Sequence, residues 1–334
     1  MFEHLHRSYV CRCLLFVCVS AVLALRPVDA RNMKFNPGSS YTQPTGINAK
    51  GVIAGFYGDA NNQAHGFVRT MDGKITSFDV LKNECSIAAW AINVKGVIVG
   101  QYLDRNCNSH GYIRNSEGTI VTFDVPGATQ TSANSLNDKG AITGAYVDVS
   151  ENTHGYLRSA GGAFTSFDPE GSTETIPSSI NKSGVIAGTY VGAGSELHGF
   201  VRYADGTIIS FDPPGSASTD VICVNRNGDI VGDYLDGGTN HGFLRSAKGN
   251  YTTIDPPGSI QTFLFGINDN GVITGDFFTD HAHGFVQDAN GTITTFDPKG
   301  SVDTNPEAID EKGEITGFWQ KTNPGPMLGF VRTH

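Results

Sequence analysis

The sequence predicts an all-β protein: a seven-bladed β-propeller built from four-stranded antiparallel blades. Three observations support that prediction. A unit of 42 to 45 residues recurs seven times, and each copy holds four short segments rich in β-branched and aromatic residues between glycine turns. The apolar residues show no helical spacing. The last unit stops after its third segment, and a matching fourth segment stands near the N-terminus.

Two motifs mark every unit. The first, Asn-x-x-Gly, suits a tight turn in which the asparagine side chain bonds the turn backbone and the glycine adopts a positive φ. It starts at Asn48, Asn93, Asn137, Asn181, Asn225 and Asn268, and its last copy starts at Asp310. The second motif is His-Gly-aromatic. It starts at His65, His110, His154, His198, His241 and His283, and its last copy has Leu328 in place of the histidine.

Four strands follow one another in each unit. The first ends just before the Asn-x-x-Gly turn, as in 88–92, and the second follows that turn, as in 96–102. The third begins at the His-Gly motif, as in 198–202, and the fourth has an Ile-Thr-Thr-Phe-Asp pattern, as in 293–297. Four strands in a unit of this length are typical of a propeller blade.

The two ends of the chain complement each other. The last unit lacks a fourth strand, and residues 35–38 (Phe-Asn-Pro-Gly) echo the fourth-strand pattern at 296–300. We therefore expect residues 33–36 to complete the last blade and close the ring, which leaves no open sheet edge there. The prediction is one domain, residues 31–334, whose repeats begin near 41, 86, 130, 174, 218, 261 and 303.

Three sequence blocks resemble a known family. Ser-Ile-Asn-Lys-Ser-Gly-Val-Ile-Ala-Gly at 179–188, His-Gly-Phe-Val-Arg at 198–202 and Phe-Asp-Pro-Pro-Gly at 211–215 are similar to the bacterial extracellular HAF repeat. The resemblance covers essentially the whole chain after residue 30. It implies a bacterial protein that is secreted or held in the cell envelope. It transfers no activity and no catalytic residue.

The N-terminus has the pattern of a secretory signal peptide. Arg7 and Arg12 precede an apolar run at 13–25, and small residues end at Ala30. We expect cleavage near Ala30 and a secreted or periplasmic monomer. Residues 1–30 hold three of the 23 basic and two of the 33 acidic residues, so the net charge after cleavage becomes −11. An acidic chain without a basic stripe is unsuited to nucleic acid, and no other stretch is long and apolar enough to cross a membrane.

Loop lengths separate the two ends of the predicted propeller. The loop between the second and third strands varies, and so does the connector between units, whereas the Asn-x-x-Gly turn keeps its length. We call the end that carries the variable loops the upper face and the end that carries the Asn-x-x-Gly turns the lower face. Function usually lies where loops vary on a rigid scaffold, which favours the upper face.

Residues that every unit repeats are expected to serve the fold, with each motif histidine bonding backbone or the fourth-strand aspartate. A binding site should instead use positions where equivalent residues differ. Three such positions per unit are predicted to approach the upper mouth of the channel: three and five residues before the Asn-x-x-Gly motif, and just after the second glycine of the second strand. The candidate ligand-binding residues there are Trp90, Gln101, Asn134, Asp220, Asp233, Phe263, Phe265, Asp276, Glu307 and Phe318.

Carboxylates beside aromatic rings suit a carbohydrate, so we expect the upper face to bind a glycan or a cell-envelope or extracellular protein. The sequence leaves three alternatives open. The four acids Asp220, Asp233, Asp276 and Glu307 would be the catalytic residues of a polysaccharide-degrading enzyme. In the second alternative their carboxylate oxygens are ligands of Ca²⁺. Apart from this alternative, no cofactor is predicted. In the third alternative they are ordinary solvated acids, and the protein is a scaffold that only contacts other proteins. No metal site is predicted, because His281 and His283 form a weak pattern.

The cysteines of the predicted mature chain divide into a pair and a single residue. Cys85 lies in a connector and Cys107 in the second-to-third loop of the same unit, so both belong to the upper face and are predicted to form a disulfide. Two free thiols are the alternative. Cys223 stands where every unit has a small residue and is expected to pack in the interior.

Overall fold

The computed structural model describes residues 32–37, 40–82 and 85–333. All regular secondary structure in this part of the chain is β-strand. The predicted signal peptide lies outside the described residues, and so does its cleavage site.

The described residues form 28 strands, labelled here in chain order, which repeat in sets of four. The first strands of the sets are β2 (Tyr41–Ile47), β6 (Ser86–Ile92), β10 (Gln130–Leu136), β14 (Glu174–Ile180), β18 (Ser218–Val224), β22 (Gln261–Ile267) and β26 (Asp303–Ile309). The second strands are β3 (Ile53–Gly58), β7 (Ile98–Leu103), β11 (Ile142–Val147), β15 (Ile186–Val191), β19 (Ile230–Asp236), β23 (Ile273–Phe278) and β27 (Ile315–Gln320).

The third strands carry the His-Gly motif, and the short fourth strands complete each set. The third strands are β4 (Ala64–Arg69), β8 (Ser109–Arg114), β12 (Thr153–Arg158), β16 (Leu197–Arg202), β20 (Thr239–Arg245), β24 (Ala282–Gln287) and β28 (Met327–Arg332). The fourth strands are β5 (Ile75–Phe78), β9 (Ile120–Phe123), β13 (Phe164–Phe167), β17 (Ile208–Phe211), β21 (Tyr251–Ile254), β25 (Ile293–Phe296) and the N-terminal β1 (Asn32–Phe35).

Within a set, consecutive strands pair antiparallel, as in β18-β19-β20-β21 and β22-β23-β24-β25. The predicted all-β architecture of four-stranded antiparallel sheets is thereby confirmed. Twenty-eight strands in sets of four is the number that seven blades would need. The strands begin and end within two residues of the predicted bounds, because the glycine turns that mark them in the sequence are the turns of the structure.

The N-terminal strand completes the last set. β1 pairs antiparallel with β28, with Phe35 opposite Gly329, one residue earlier than the predicted segment. The Phe35 ring lies 5.8 Å from the ring of Phe67 in the first repeat, and the Arg69 guanidinium lies 5.2 Å from it. A single parallel bridge joins Tyr41 to Met327. The last repeat therefore packs against the first.

The same contact recurs between successive repeats. In the second repeat, the Arg114 guanidinium lies 4.8 Å from the centre of the Phe78 ring, which belongs to the fourth strand of the repeat before it. The Gly of the His-Gly motif leaves room for the fourth-strand ring of its own repeat: a Cβ on Gly111 would lie 2.8 Å from Phe123. The motif thus requires glycine for space, and the core is divided among the interfaces between sheets.

Candidate functional site

Each motif histidine hydrogen-bonds an aspartate within its own sheet. Nδ1 of each histidine lies 2.7 to 3.0 Å from a carboxylate oxygen of the fourth-strand aspartate. The pairs are His65–Asp79, His110–Asp124, His154–Asp168, His198–Asp212, His241–Asp255 and His283–Asp297. Each imidazole also packs against an aromatic ring of the second strand, at 5.2 Å for Tyr102 and His110. The predicted bond from each motif histidine to the fourth-strand aspartate is confirmed.

The Asn-x-x-Gly asparagines do more than shape their turns. The Asn93 Oδ1 accepts the N–H groups of Lys95 and Val97 in its own turn. Its Nδ2 donates to the backbone oxygen of Asn137 in the next repeat, at 3.2 Å. Six such amide bonds, 2.9 to 3.3 Å long, link successive repeats at the lower face. Sequence reasoning found the turn and missed this link.

A cavity of about 280 Å³ opens along these residues at the lower face. Its wall is made by the aliphatic residues that end the first strands, namely Ile47, Ile92, Leu136, Ile180, Val224, Ile267 and Ile309. Its rim is made by the residues after the asparagines, namely Ala49, Val94, Asp138, Lys182, Arg226, Asp269 and Glu311. The predicted ligand-binding residues do not line this cavity.

Three charged residues of the rim, on successive repeats, bond to one another. The Arg226 Nε lies 3.0 Å from an Asp269 carboxylate oxygen, and the Arg226 N–H donates to the same carboxylate. The Asp269 N–H donates to Glu311 at 3.1 Å. Burial and the nearby charge of Asp269 raise the pKa of the Glu311 carboxyl. These bonds join neighbouring repeats, so the rim charges contribute to the scaffold.

Four of the predicted site residues stand at β-bulges. The pairing of the first and second strands skips one residue in every repeat, and that residue lies three before the Asn-x-x-Gly motif. Trp90, Asn134, Phe265 and Glu307 occupy this position and are half-buried. Bulges re-aim a side chain and are common beside active sites.

The other six lie in strand pairs just above the bulges. Asp220 is opposite Asp233, and Phe263 is opposite Asp276, so each of these two pairs is brought together. Asp233 is 4% exposed and Asp276 is 2% exposed, whereas Asp220 is half-buried.

Neither Gln101 nor Phe318 lies opposite another predicted site residue. Gln101 pairs with Ala88, and Phe318 pairs with Asn305. Gln101 is half-buried, whereas Phe318 is 6% exposed, and Phe263 in the sixth repeat is similarly buried at 7%. Part of the predicted set is therefore packed inside the sheets and does not face solvent.

Contacts between repeats show how these positions meet. The Thr189 hydroxyl donates to Asp220 at 3.1 Å, and it accepts the Val221 N–H at 2.9 Å. The second strand of one repeat thus faces the first strand of the next. The Phe56 and Trp90 rings meet edge to face at 5.7 Å in the same way.

By the same relation Asp276 faces β26, the strand that carries Glu307. The four predicted acids therefore lie on the inner strands of three successive repeats. Trp90 and Gln101 belong to the second repeat and do not flank those acids. Asn134 has a structural partner, because its amide donates to the Pro177 carbonyl oxygen at 2.8 Å.

The two exposed cysteines lie side by side. The Cys85 and Cys107 sulfur atoms are 3.4 Å apart, and no bond joins them in this structure. The disulfide stays a prediction that this proximity makes reasonable. Cys223 packs against the core of the sixth repeat, and burial raises the pKa of its thiol.

No family model and no curated protein matches the chain. Solved structures do match it. Streptogramin B lyase shares 13% identity over 91% of this chain and 97% of that chain, with a TM-score of 0.61. Virginiamycin B lyase from Staphylococcus aureus shares 14% identity over 92% of this chain and 100% of that chain, with a TM-score of 0.62. The β-propeller domain of the Trilobed protease from Pyrococcus furiosus shares 10% identity over 87% of this chain and 95% of that chain, with a TM-score of 0.60.

At such low identity these likenesses show the fold alone, which is a β-propeller. Among the described residues, no helix could span a membrane.

Proposed function

We propose that the chain is a closed seven-bladed propeller, secreted or periplasmic, that binds carbohydrate in the channel that opens at its upper face. One observation carries the proposal. The seven bulges are equivalent in backbone, yet they hold seven different side chains: Thr45, Trp90, Asn134, Ser178, Ile222, Phe265 and Glu307. Positions that only support a repeat keep one residue type, as the histidine–aspartate pairs do. Variety at one equivalent place is what an asymmetric ligand requires.

The side chains in this region have the chemistry that sugars need. Sugar hydroxyl groups bond carboxylates, and the acids of the fifth to seventh repeats supply Asp220 and Glu307 in half-buried positions. The apolar face of a sugar ring lies on an aromatic ring, which Phe265 provides beside those acids and Trp90 provides farther round. The chain's negative charge favours a neutral or cationic glycan over an acidic one.

Affinity electrophoresis of the purified protein against a panel of neutral and cationic polysaccharides tests the proposal. We expect retardation by at least one polysaccharide. Phe265→Ala should weaken that retardation about tenfold or more, as expected for an aromatic anchor. Glu307→Gln should weaken it less, because one hydrogen-bonding oxygen remains.

Met71→Ala is the matched control. Met71 is 67% exposed on a turn between third and fourth strands, and such turns lie at the lower face. This variant should bind like the parent protein. The absence of retardation for every polysaccharide, or equal binding by Phe265→Ala and the parent, would contradict the proposal.

A second candidate function follows from the Asp220–Asp233 pair. Side chains directly opposite on antiparallel strands have Cβ atoms about 4.5–5.5 Å apart, and a retaining glycosidase holds its two carboxyl groups about 5–5.5 Å apart. New chain ends in the same polysaccharide samples, lost in Asp220→Asn, would make the protein a polysaccharide-degrading enzyme. Retardation without new ends supports the binding module.

A further inference from the structure

The loop between β23 and β24 of the sixth repeat holds a second imidazole beside the motif histidine. Asp280, His281 and His283 each offer a ligand atom, and these atoms lie within 4.8 Å of one another. The centres of the two imidazole rings are 4.0 Å apart. The Asp280 carboxylate lies 3.1 Å from His281 Nδ1 and 3.6 Å from His283 Nε2. Two imidazoles and a carboxylate thus converge on one small volume.

His283 is already held as a metal-binding histidine would be. Its Nδ1 lies 2.8 Å from the Asp297 carboxylate, and Asp297 in turn accepts the Thr304 hydroxyl at 2.6 Å. A carboxylate on one ring nitrogen fixes the tautomer and leaves the other nitrogen as the ligand. His283 is 7% exposed, and its Nε2 points toward the loop, 3.0 Å from the Thr279 hydroxyl.

Other repeats share the held histidine and lack the second imidazole. In the third repeat, His154 Nε2 lies 3.4 Å from Asp148 alone, and in the second repeat His110 Nε2 lies 3.6 Å from Asp104 alone. His281 is the single histidine of the described residues that lies outside the His-Gly motif. The sixth repeat therefore adds the one ligand that the common arrangement is missing.

A further carboxylate supports the cluster from the neighbouring repeat. Asp303, on β26, is 8% exposed and interacts electrostatically with His281 and His283. It accepts the Ala282 N–H at 3.2 Å, and it accepts the Asn323 amide at the same distance. Asp303 thus fixes the backbone between the two histidines and adds negative charge, and both effects favour a bound dication.

We propose that Asp280, His281 and His283 form a Zn²⁺ site. Nitrogen and carboxylate ligands suit zinc, whose bonds to them are about 2.0–2.2 Å long. His283 Nε2 is the fixed ligand. His281 and Asp280 are 31% and 62% exposed in their side chains and can close on the ion. Three protein ligands leave a fourth position for water or for an oxygen of a bound molecule.

The site lies in a second-to-third loop, so it belongs to the upper face. It uses none of the residues proposed to bind carbohydrate and stands or falls independently of that function. Its test therefore contains no sugar.

Calorimetric titration of the full chain with ZnCl₂, without a histidine tag and after dialysis against EDTA, measures the site directly. We expect one more Zn²⁺ bound by the parent chain than by His281→Gln. Loading with Co²⁺ should give the visible absorption of a nitrogen- and oxygen-ligated ion in the parent and lose it in this variant. His281 is partly exposed, so folding should be unaffected, which circular dichroism checks. Asp280→Asn is a second variant with the same expected loss.

A matched pair of variants separates zinc binding from general damage to the fold. Asp297→Asn removes the carboxylate behind His283 and should weaken Zn²⁺ binding about 10–100-fold. Asp168→Asn makes the same change behind His154, where no second imidazole lies, and should leave Zn²⁺ binding unchanged. Equal zinc stoichiometry in the parent and His281→Gln, or equal weakening by the two aspartate variants, would overturn the proposal.

Discussion

At the scale of single residues, one position departs from the lower-face chain of amides. Asn268 donates its side-chain N–H to the backbone oxygen of Asp310 at 3.0 Å. Asp310 uses Oδ1 as the asparagines do, accepting the N–H groups of Lys312 and Glu314. A carboxylate has no N–H to pass on to the first repeat. Asp310 is 3% exposed, and its Oδ2 is buried without a hydrogen-bond partner among the described residues.

Asp310→Asn should therefore stabilise the protein. The new amide would donate to the backbone oxygen of Asn48 in the first repeat, just as each of the other six amides donates to the repeat that follows it. The buried polar atom that replaces Asp310 Oδ2 would thereby gain a partner. The gain should be about 1 kcal/mol in the free energy of unfolding, the net value of one hydrogen bond. Urea denaturation followed by tryptophan fluorescence measures it.

Asn137→Asp is the matched control for that change. It replaces an amide that donates to Asn181 at 3.0 Å with a carboxylate in an interior repeat. It should destabilise the protein by about 1–3 kcal/mol, the range for leaving a buried polar group unpaired. Destabilisation by Asp310→Asn as well would show that the carboxylate itself is required at this position.

The pKa of the His154 side chain should lie above the ordinary value of a histidine. Burial alone lowers the pKa of His154, but hydrogen bonds and charge from Asp168 and Asp148 outweigh burial and raise it. A raised folded-state pKa means that this ion pair contributes stability at pH values below the unfolded histidine pKa. The contribution is lost as pH rises through the folded pKa.

Proton NMR titration of the His154 ring measures this pKa. Asp168→Asn should lower it, since the nearest carboxylate is removed, and the low-pH part of the stability should shrink with it. An unchanged His154 pKa in that variant would assign the shift to some other group.

At the scale of elements, strands follow from the sequence and bulges do not. The glycine turns set strand ends, and Gly46 illustrates why one inner position is always small: a Cβ there would lie 3.2 Å from Ile92 of the next repeat. The bulge depends on the pairing register of two strands, which residue spacing along one strand does not encode. For the same reason sequence reasoning placed Phe263 and Phe318 at the channel mouth, although both rings are buried.

The lower-face cavity also lay beyond sequence reasoning. Its wall consists of the aliphatic residues before each Asn-x-x-Gly motif, such as Ile92 and Ile180. In the sequence those residues look like ordinary core positions. Strand tilt decides whether an inner side chain packs against the neighbouring sheet or faces the central channel, and the sequence does not show that tilt. The motif histidines were predictable, since a repeated polar residue needs a repeated partner.

The loops of the second repeat should become covalently joined under oxidising conditions. Cys85 and Cys107 enclose 21 residues, and a disulfide that closes such a loop adds about 3 kcal/mol by the chain-entropy model. Non-reducing peptide mapping of exported protein should find the two cysteine peptides linked. Cys107→Ser should have lower stability than the oxidised parent and equal stability to the reduced parent. Unlinked peptides from exported protein would contradict the disulfide.

At the scale of the whole molecule, the strand that closes the last repeat is made from the N-terminus. Phe35 takes the place that Phe167 takes in an interior repeat. The Arg69 guanidinium lies 5.2 Å from the Phe35 ring, and the Arg202 guanidinium lies 5.0 Å from the Phe167 ring. The contact between the last and first repeats is therefore packed like the contacts between interior repeats. The similarity of residues 35–38 to a fourth strand predicted this.

Phe35→Ala and Phe167→Ala should therefore have similar effects. Each removes a buried ring, 9% and 8% exposed, and should cost about 3–5 kcal/mol. Denaturant unfolding of the two variants compares them directly. A far smaller loss for Phe35→Ala would mean that the N-terminal strand contributes little to the closed molecule in solution.

The contacts that join successive repeats determine where a repeat could be added by duplication of part of the gene. An interior repeat duplicated in frame would bring its own asparagine, whose amide donates to the backbone of the next repeat. It would also bring the arginine that packs on the fourth-strand phenylalanine of the repeat before it. Both new joints would be copies of existing ones, so only the curvature of the ring would have to adjust. A repeat copied from the C-terminal end would instead carry Asp310 inward and leave a gap in the amide chain. Growth by tandem duplication is thus easiest in the middle of the chain, away from the place where β1 pairs with β28.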